Sequence, residues 1–196
     1  MSTTLRYEPA LSRPDLLAGP VLAALELLGD AAQQVLVTEI DPGLADTAAF
    51  CVEYGVTLEE SANCVVIAAR RGAGTSYAAA MIAASTRADV NGLVRRHLGA
   101  RKASFAPVAD VTAASGMQYG GITPLGLPAG WQVLVDAAVA KTDSVVIGSG
   151  IRGSKLRLPG PLLAELPGAD VLDGLGLPIS ERPASERPAS ERPAAE

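Results

Sequence analysis

The sequence predicts an α+β domain built on a mixed sheet, and three observations carry that expectation. Helical and strand-like patterns follow one another irregularly, with a hairpin among them, and do not alternate as a parallel doubly wound sheet requires. A length of 196 residues fits one domain with a sizeable core. Hydrophobic residues make up 48% and charged residues 19%, a globular balance; aromatics are only 4%, so the core must be built from Ala, Val, Leu and Ile.

The elements can be justified in order. PDLLAGPVLAALELLGD predicts a helix over 15–29, ended by Gly29, with Pro20 as a possible break. VLVTEI, 35–40, is a strand. Asp46 caps a helix, DTAAFCVEYG, that stops at Gly55. NCVVIAARR (63–71), the turn GAGT and SYAAAMIAAS (76–85) form a hairpin. Asp89 caps VNGLVRRHLG, a helix ended by Gly99. KASFAP (102–107) is a short strand and VADVTAASG a short helix. WQVLVDAAVA (131–140) and DSVVIGSG (143–150) both read as strands, as does KLRL (155–158). PGPLLAELPG is a last helix, entered through proline.

Charge and cysteine usage exclude several function classes. The net charge of -5 argues against a general nucleic-acid coat, DNA included, while leaving room for a local basic patch. Cys51 and Cys64 have no disulfide framework around them, which points to a reducing, cytoplasmic setting. The start MSTTLRYEPALSRPD lacks the basic and apolar regions of a signal peptide, and no run of about 20 apolar residues predicts a membrane span. A single histidine, His97, rules out zinc sites with two or more His ligands, and no metal or cofactor is expected. His97 lies at a helix C-terminus, where a partly positive ring is favourable.

The stretch MQYGGITPLGLP, residues 117–128, carries the most chemistry. Gly120 and Gly121 let the backbone approach another molecule closely. Pro124 and Pro128 stiffen the loop and remove donors. Such a loop can cradle a carbonyl or phosphate, or be an ordinary surface turn. GSGIRG, 148–153, has dinucleotide-turn spacing, but KLRLP follows where a helix should open, so a turn lining a pocket is the better reading. Cys64 sits in an apolar run with nothing adjacent to lower its pKa, which favours a structural thiol. Asp136 interrupts the apolar run VLVDAAVA and must be paired, exposed or functional. Asn63 opens its strand, either capping a turn or pointing into a cleft. Arg95, Arg96, Arg101 and Lys102 cluster, as do Arg152, Lys155 and Arg157; either group is a solvated face or a phosphate contact.

Taken together, these segments resemble the YbaK/ProX family of aminoacyl-tRNA editing domains. DTAAFCVEYGVTLEESANCVVIAA is similar to its helix, turn and first long strand. LVRRHLGARKASFAPVADVTAASGMQYGGITPLG is similar to its next helix, turn and glycine–proline loop, and VLVDAAVA with DSVVIGSGIRGSKLRL to its aspartate strand and the strand and turn that follow. The resemblance spans about residues 35–176. It implies a mixed α+β fold around a twisted, barrel-like sheet, and hydrolysis of the ester joining a wrong amino acid to the tRNA 3′ end. It places Gly120, Gly121, Ile122, Thr123 and Pro124 on the substrate-holding loop. Asp136 falls on the pocket aspartate, and Ser149 and Gly150 on the neighbouring turn. The family's lysine at the start of the first long strand is replaced by Asn63, and its nearby tyrosine position falls around Thr38. Asn63, Gly121 and Asp136 are then the expected catalytic residues. The implied partner is the 3′ end of an aminoacyl-tRNA, hydrolysed in trans; a silent module that only binds an aminoacyl ester or other small ligand is the alternative.

The chain divides into an N-terminal segment with one helix (1–34), the editing-like domain (35–178) and a tail (179–196). SERPA occurs three times in tandem from residue 180, with too much Pro and charge to form a core. Deleting residues 180–196 is expected to leave the thermal midpoint unchanged in a melting experiment; a large drop would show that the tail packs.

Overall fold

The structure is a computed structural model that describes residues 4–179; the SERPA repeats lie outside the described residues. Among the described residues, eleven strands and six α-helices alternate irregularly, as expected. A short strand, β1 (Glu8–Pro9), and two 3₁₀ turns precede α1 (Gly19–Leu27) and β2 (Leu36–Glu39). Next come α2 (Thr47–Tyr54) and the hairpin of β3 (Ala62–Arg71) and β4 (Gly74–Ala83). β5 (Thr86–Ala88) leads to a π-helical turn, Val90–Val94, that runs into α3 (Arg95–His97). β6 (Lys102–Phe105), α4 (Val108–Ser115), β7 (Gln132–Asp136), α5 (Ala137–Ala140), β8 (Val145–Gly148) and β9 (Ser154–Leu158) follow. The described chain ends with α6 (Gly160–Ala164), β10 (Ala169–Leu172) and β11 (Gly176–Pro178).

The local signals work through side-chain caps. Asp46 accepts from the amides of Ala48 and Ala49 to open α2, which Gly55 ends with φ 68°. Asp89 accepts from Gly92 and Leu93, and that first turn winds as a π-helix before tightening into α3.

Two expectations need correction. Residues 137–140 form α5, not strand, because Asp136 accepts from Ala138 N at 2.8 Å and so starts a helix. Pro20 does not break a helix; α1 starts at Gly19 with Pro20 in its first turn, where a missing N–H costs nothing, and residues 14–16 form a separate 3₁₀ turn. Gly29, at φ 57°, ends α1 as expected, and a 3₁₀ segment runs on from it.

The strands build a four-stranded sheet, β1-β2-β9-β8, a five-stranded sheet, β10-β7-β4-β3-β6, and the pair β11-β5. The hairpin pairs Asn63 with Ile82 and Arg70 with Thr75, while β7 joins β4 in parallel, so the larger sheet is mixed. A parallel bridge between Ser61 and Val146 connects the two large sheets, with Val146 N donating to Glu60 O at 2.8 Å. Among the described residues β6 and β10 remain as edges, so the larger sheet does not close into a barrel. The main core lies between them and α1, around Val21, Leu25, Met81, Val135 and Leu156. Ala78, Ala79 and Ala80 are wholly buried in the centre of the larger sheet, and Phe50 is the one aromatic among the largest fully buried side chains. Small side chains here substitute for the aromatics that the composition lacks.

Two glycine-bearing turns, 116–126 and 148–153, meet backbone to backbone. Gly150 N donates to Gly121 O at 2.7 Å, and Gln118 N donates to Gly150 O at 2.8 Å. A Cβ on Gly121 would overlap the Ile151 backbone, and one on Gly148 the Gly121 and Ile122 carbonyls. Gly121→Ala is therefore expected to destabilise the fold by about 3 kcal/mol in urea unfolding, the scale of overpacking in a site that cannot relax. Stability equal to that of the parent would show that the turns have room to part.

Candidate functional site

A cleft of about 430 Å³ opens where α2, β3, the glycine loop and the 148–153 turn converge. The start of α2 supplies one wall through Ala45, Asp46 and Thr47. β3 supplies another through residues 62–66, and Gly120, Ile122 and Gly148 line the glycine side. Phe105, Val108 and Tyr119 stand at the rim, 64%, 47% and 62% exposed. Neither rim aromatic stacks on another ring among the described residues.

Among the described residues, two cations reach the cleft. Lys155, on β9, is only 6% exposed. Its Nζ donates to Ala45 O at 2.9 Å and sits 5.4 Å from the centre of the Phe50 ring. Burial pulls the Lys155 pKa below the ordinary lysine value; the charge of Arg152 acts in the same direction and that of Asp46 opposes it. Arg152 straps the glycine loop, donating from Nη1 to Tyr119 O at 3.2 Å and from Nη2 to Pro42 O at 2.9 Å. Its amide donates to Gln118 Oε1 at 2.9 Å.

The uncharged groups are also fixed. Thr47 Oγ1 donates to Asn63 Oδ1 at 2.7 Å, which turns the Asn63 amide nitrogen away from that contact as a spare donor. Burial pushes the Cys64 thiol up to about 12, so it is protonated at neutral pH and a poor nucleophile. Asp46 faces the cleft while its Oδ1 caps α2 at 3.0 Å from Ala48 N. Among the described residues no group of three or more His, Cys, Asp or Glu is placed to hold a metal ion. No described helix is long and apolar enough to cross a membrane.

Of the ten expected site residues, Asn63, Gly120 and Ile122 line the cleft. The others do not, and Asp136, Gly121, Ser149 and Gly150 have structural occupations. Asp136 is 6% exposed and accepts from the amides of Ala138 and Gly176, tying α5 to β11. Gly121 spends its amide on Gln118 O at 3.0 Å, so it is not a free oxyanion donor. Ser149 is wholly buried, 2.7 Å from Ser154 Oγ, and holds its turn. Gly150 has φ 87° and packs against Ala18 and Val21. Thr123 and Pro124 are buried, and Thr123 Oγ1 has no hydrogen-bond partner among the described residues. Thr38 is buried on β2, facing Lys155 in the strand register.

Sequence reasoning missed Lys155 and Asp46 as cleft residues. The alternation in KLRL puts Lys155 and Arg157 on one face and the leucines on the other, which reads as a solvated charge face. β9 lies between β2 and β8, and the Phe50 and Ala45 side of the cleft covers the half that carries Lys155. Arg157 stays exposed over the Tyr7 ring. A lysine one residue into a strand that starts right after a glycine turn was the available signal.

The family model of the aminoacyl-tRNA editing domain matches residues 41–166. Among solved structures, a proposed trans-editing enzyme for prolyl tRNA synthetase is 21% identical at a TM-score of 0.67, over 80% of this chain and 94% of that one. A hypothetical protein is 19% identical at 0.68, over 78% and 97%. A scaffold from a study of computational epitope backbone grafting is 22% identical at 0.67, over 80% and 95%. At these identities the structural likeness speaks for the fold. No match was found among curated protein sequences.

The capping role of Asp136 is testable apart from the cleft. Asp136→Ala removes a helix cap and leaves the Gly176 amide without its acceptor. It should lower stability by about 2–4 kcal/mol in urea unfolding. A variant as stable as the parent would make Asp136 a functional candidate again.

Proposed function

The chain belongs to the family of aminoacyl-tRNA editing domains, and from that premise we propose that it is a trans-acting deacylase that hydrolyses the ester of a mischarged tRNA. The observation that carries the reading is Lys155: a buried ammonium with one of its three protons on Ala45 O, facing a cleft wide enough for an aminoacyl ester.

Ester hydrolysis needs donors aimed at the developing oxyanion and a water held for attack. Lys155 Nζ has two protons left for the carbonyl oxygen of the substrate, and the Asn63 amide adds a neutral donor. Water adds to the carbonyl carbon, and the negative charge gathers on that oxygen beside Lys155. Collapse breaks the bond to the ribose oxygen, which leaves with a proton and frees the amino acid. No histidine lines the cleft and Cys64 stays protonated, so water and not a protein side chain is the nucleophile, and the neighbouring ribose hydroxyl of the substrate can relay its proton. The α-ammonium of the substrate has a counter-charge in Asp46. Walls of Ala62, Cys64 and Val66 suit a small amino-acid side chain. The exposed faces of Phe105 and Tyr119 at the rim can take a nucleobase, as aromatic platforms do with unpaired strands.

A panel of mischarged tRNAs tests this directly. The protein should release a small amino acid from at least one, and Lys155→Met should slow release by roughly 10²-fold, the scale of one lost oxyanion donor. Asn63→Ala should cost less, and Cys64→Ser should remain active. No release from any small-residue ester at enzyme excess would defeat the reading and favour a module that binds without turnover. The charged form of Lys155 is the useful one, and its pKa is depressed. Corrected for spontaneous hydrolysis, the rate should therefore fall with rising pH before the ordinary lysine range is reached, and Lys155→Met should abolish that fall.

A further inference from the structure

Six of the chain's 16 lysines and arginines gather at a place the cleft does not use. Arg70 and Arg71 end β3, and Lys102 pairs with Arg70 across the edge strand β6. Arg101 N donates to Arg70 O at 2.8 Å. Arg95 and Arg96 stand on α3, and Ala100 N returns to Arg95 O at 3.0 Å, so the turn at Gly99 brings helix and strand cations together. The Arg71 guanidinium lies against that turn, 3.7 Å from where a Gly99 Cβ would stand. All but Arg95 are exposed. None of the six makes an ion pair among the described residues, and the carboxylate of Asp170 is taken by His97 at 3.0 Å. In a chain of net charge -5 such an unneutralised group repels itself and is a surface for an anionic partner.

The spacing between patch and cleft narrows the partner. β3 carries Asn63 at the cleft and Arg70 at the patch, seven residues apart, or about 23 Å along the strand. β6 carries Lys102 at the patch and Phe105 at the rim, about 10 Å apart. Cations, exposed aromatic rim and cleft thus follow one another along two paired strands. We propose that the patch formed by Arg70, Arg71, Arg101 and Lys102, flanked by Arg95 and Arg96, grips the phosphates of a double-helical RNA stem whose unpaired 3′ end passes the rim into the cleft. The identity of that RNA rests on the editing reading; the patch itself does not.

Binding of uncharged tRNA, followed by fluorescence anisotropy from 50 to 200 mM salt, tests the proposal without requiring catalysis. The quadruple variant Arg70→Gln, Arg71→Gln, Arg101→Gln, Lys102→Gln should bind at least about 10-fold more weakly at low salt. Its slope of log affinity against log salt should be shallower by about 3.6, near 0.9 for each of four phosphates no longer neutralised. Lys141→Gln, an exposed lysine away from the patch, should change neither. A single-stranded oligonucleotide with the 3′ end sequence should bind parent and quadruple variant alike, and an unchanged melting temperature would show that the variant is folded. Equal affinity and slope in the quadruple variant, or an equal loss in Lys141→Gln, would overturn the proposal. So would binding to anionic phospholipid vesicles with none to tRNA. If tRNA binding behaves as expected and no ester is hydrolysed, the deacylase reading fails while the patch stands.

Discussion

The site depends on two turns that touch through their backbones. Gly121, Gly148 and Gly150 lie where the 116–126 loop meets the 148–153 turn, and at each of them a Cβ would collide with the opposing chain or with Ala18. The missing side chains let Gly150 N reach Gly121 O and Gln118 N reach Gly150 O, which satisfies backbone groups that burial would otherwise leave unpaired. The same turn holds the N-terminal segment, through Ala18 N to Ser149 O at 3.2 Å and Ser154 Oγ to Leu16 O at 2.6 Å. Three stretches far apart in sequence are fixed to one another at this point. The cleft forms beside it because Gly120 and Ile122 on one turn and Arg152 on the other are held in a constant relation.

What the sequence reveals follows from how local each signal is. Asp46 and Asp89 open helices, and Gly55 ends one, by contacts within a few residues, so their roles are readable without the fold. The β3–β4 hairpin is local in the same way. The glycine–proline loop was identifiable as special, but its use was not. Gly121 is a packing residue with its amide already bonded, a fact that depends on Ile151 and Gln118. Asp136 looks like a carboxylate stranded in an apolar strand until the strand is seen to end there and its oxygens to meet Ala138 and Gly176. Short β10 and β11 escape notice because their partners, β7 and β5, lie 36 and 88–92 residues away in register. Lys155 escaped because strand alternation identifies faces but not which of them another element covers.

Charge in this chain is sorted, and the net value hides the sorting. Burying a lysine is unfavourable unless its protons and charge are met. Lys155 has a carbonyl at 2.9 Å and an aromatic face at 5.4 Å, partners that support a cation without neutralising it. Arg152 is likewise bonded to two carbonyls and to no carboxylate among the described residues. Cations held by neutral acceptors keep their field for whatever enters the cleft. Ion pairing of the ordinary surface kind is seen instead at Arg13, which meets Glu8 and Asp15 within the N-terminal segment.

The position of the buried cation also ties the chemistry of the cleft to the packing of the fold. Asn63 belongs to the five-stranded sheet and Lys155 to the four-stranded one. The two meet over a cleft only because the sheets are joined, at the bridge of Ser61 to Val146 and at the paired glycine turns. A donor carried on β3 would keep its place relative to the β3 wall even if the sheets shifted. A donor carried on β9 does not have that independence. The chemistry of the cleft therefore depends on the joining of the two sheets, which brings a lysine on one to a cleft walled by the other.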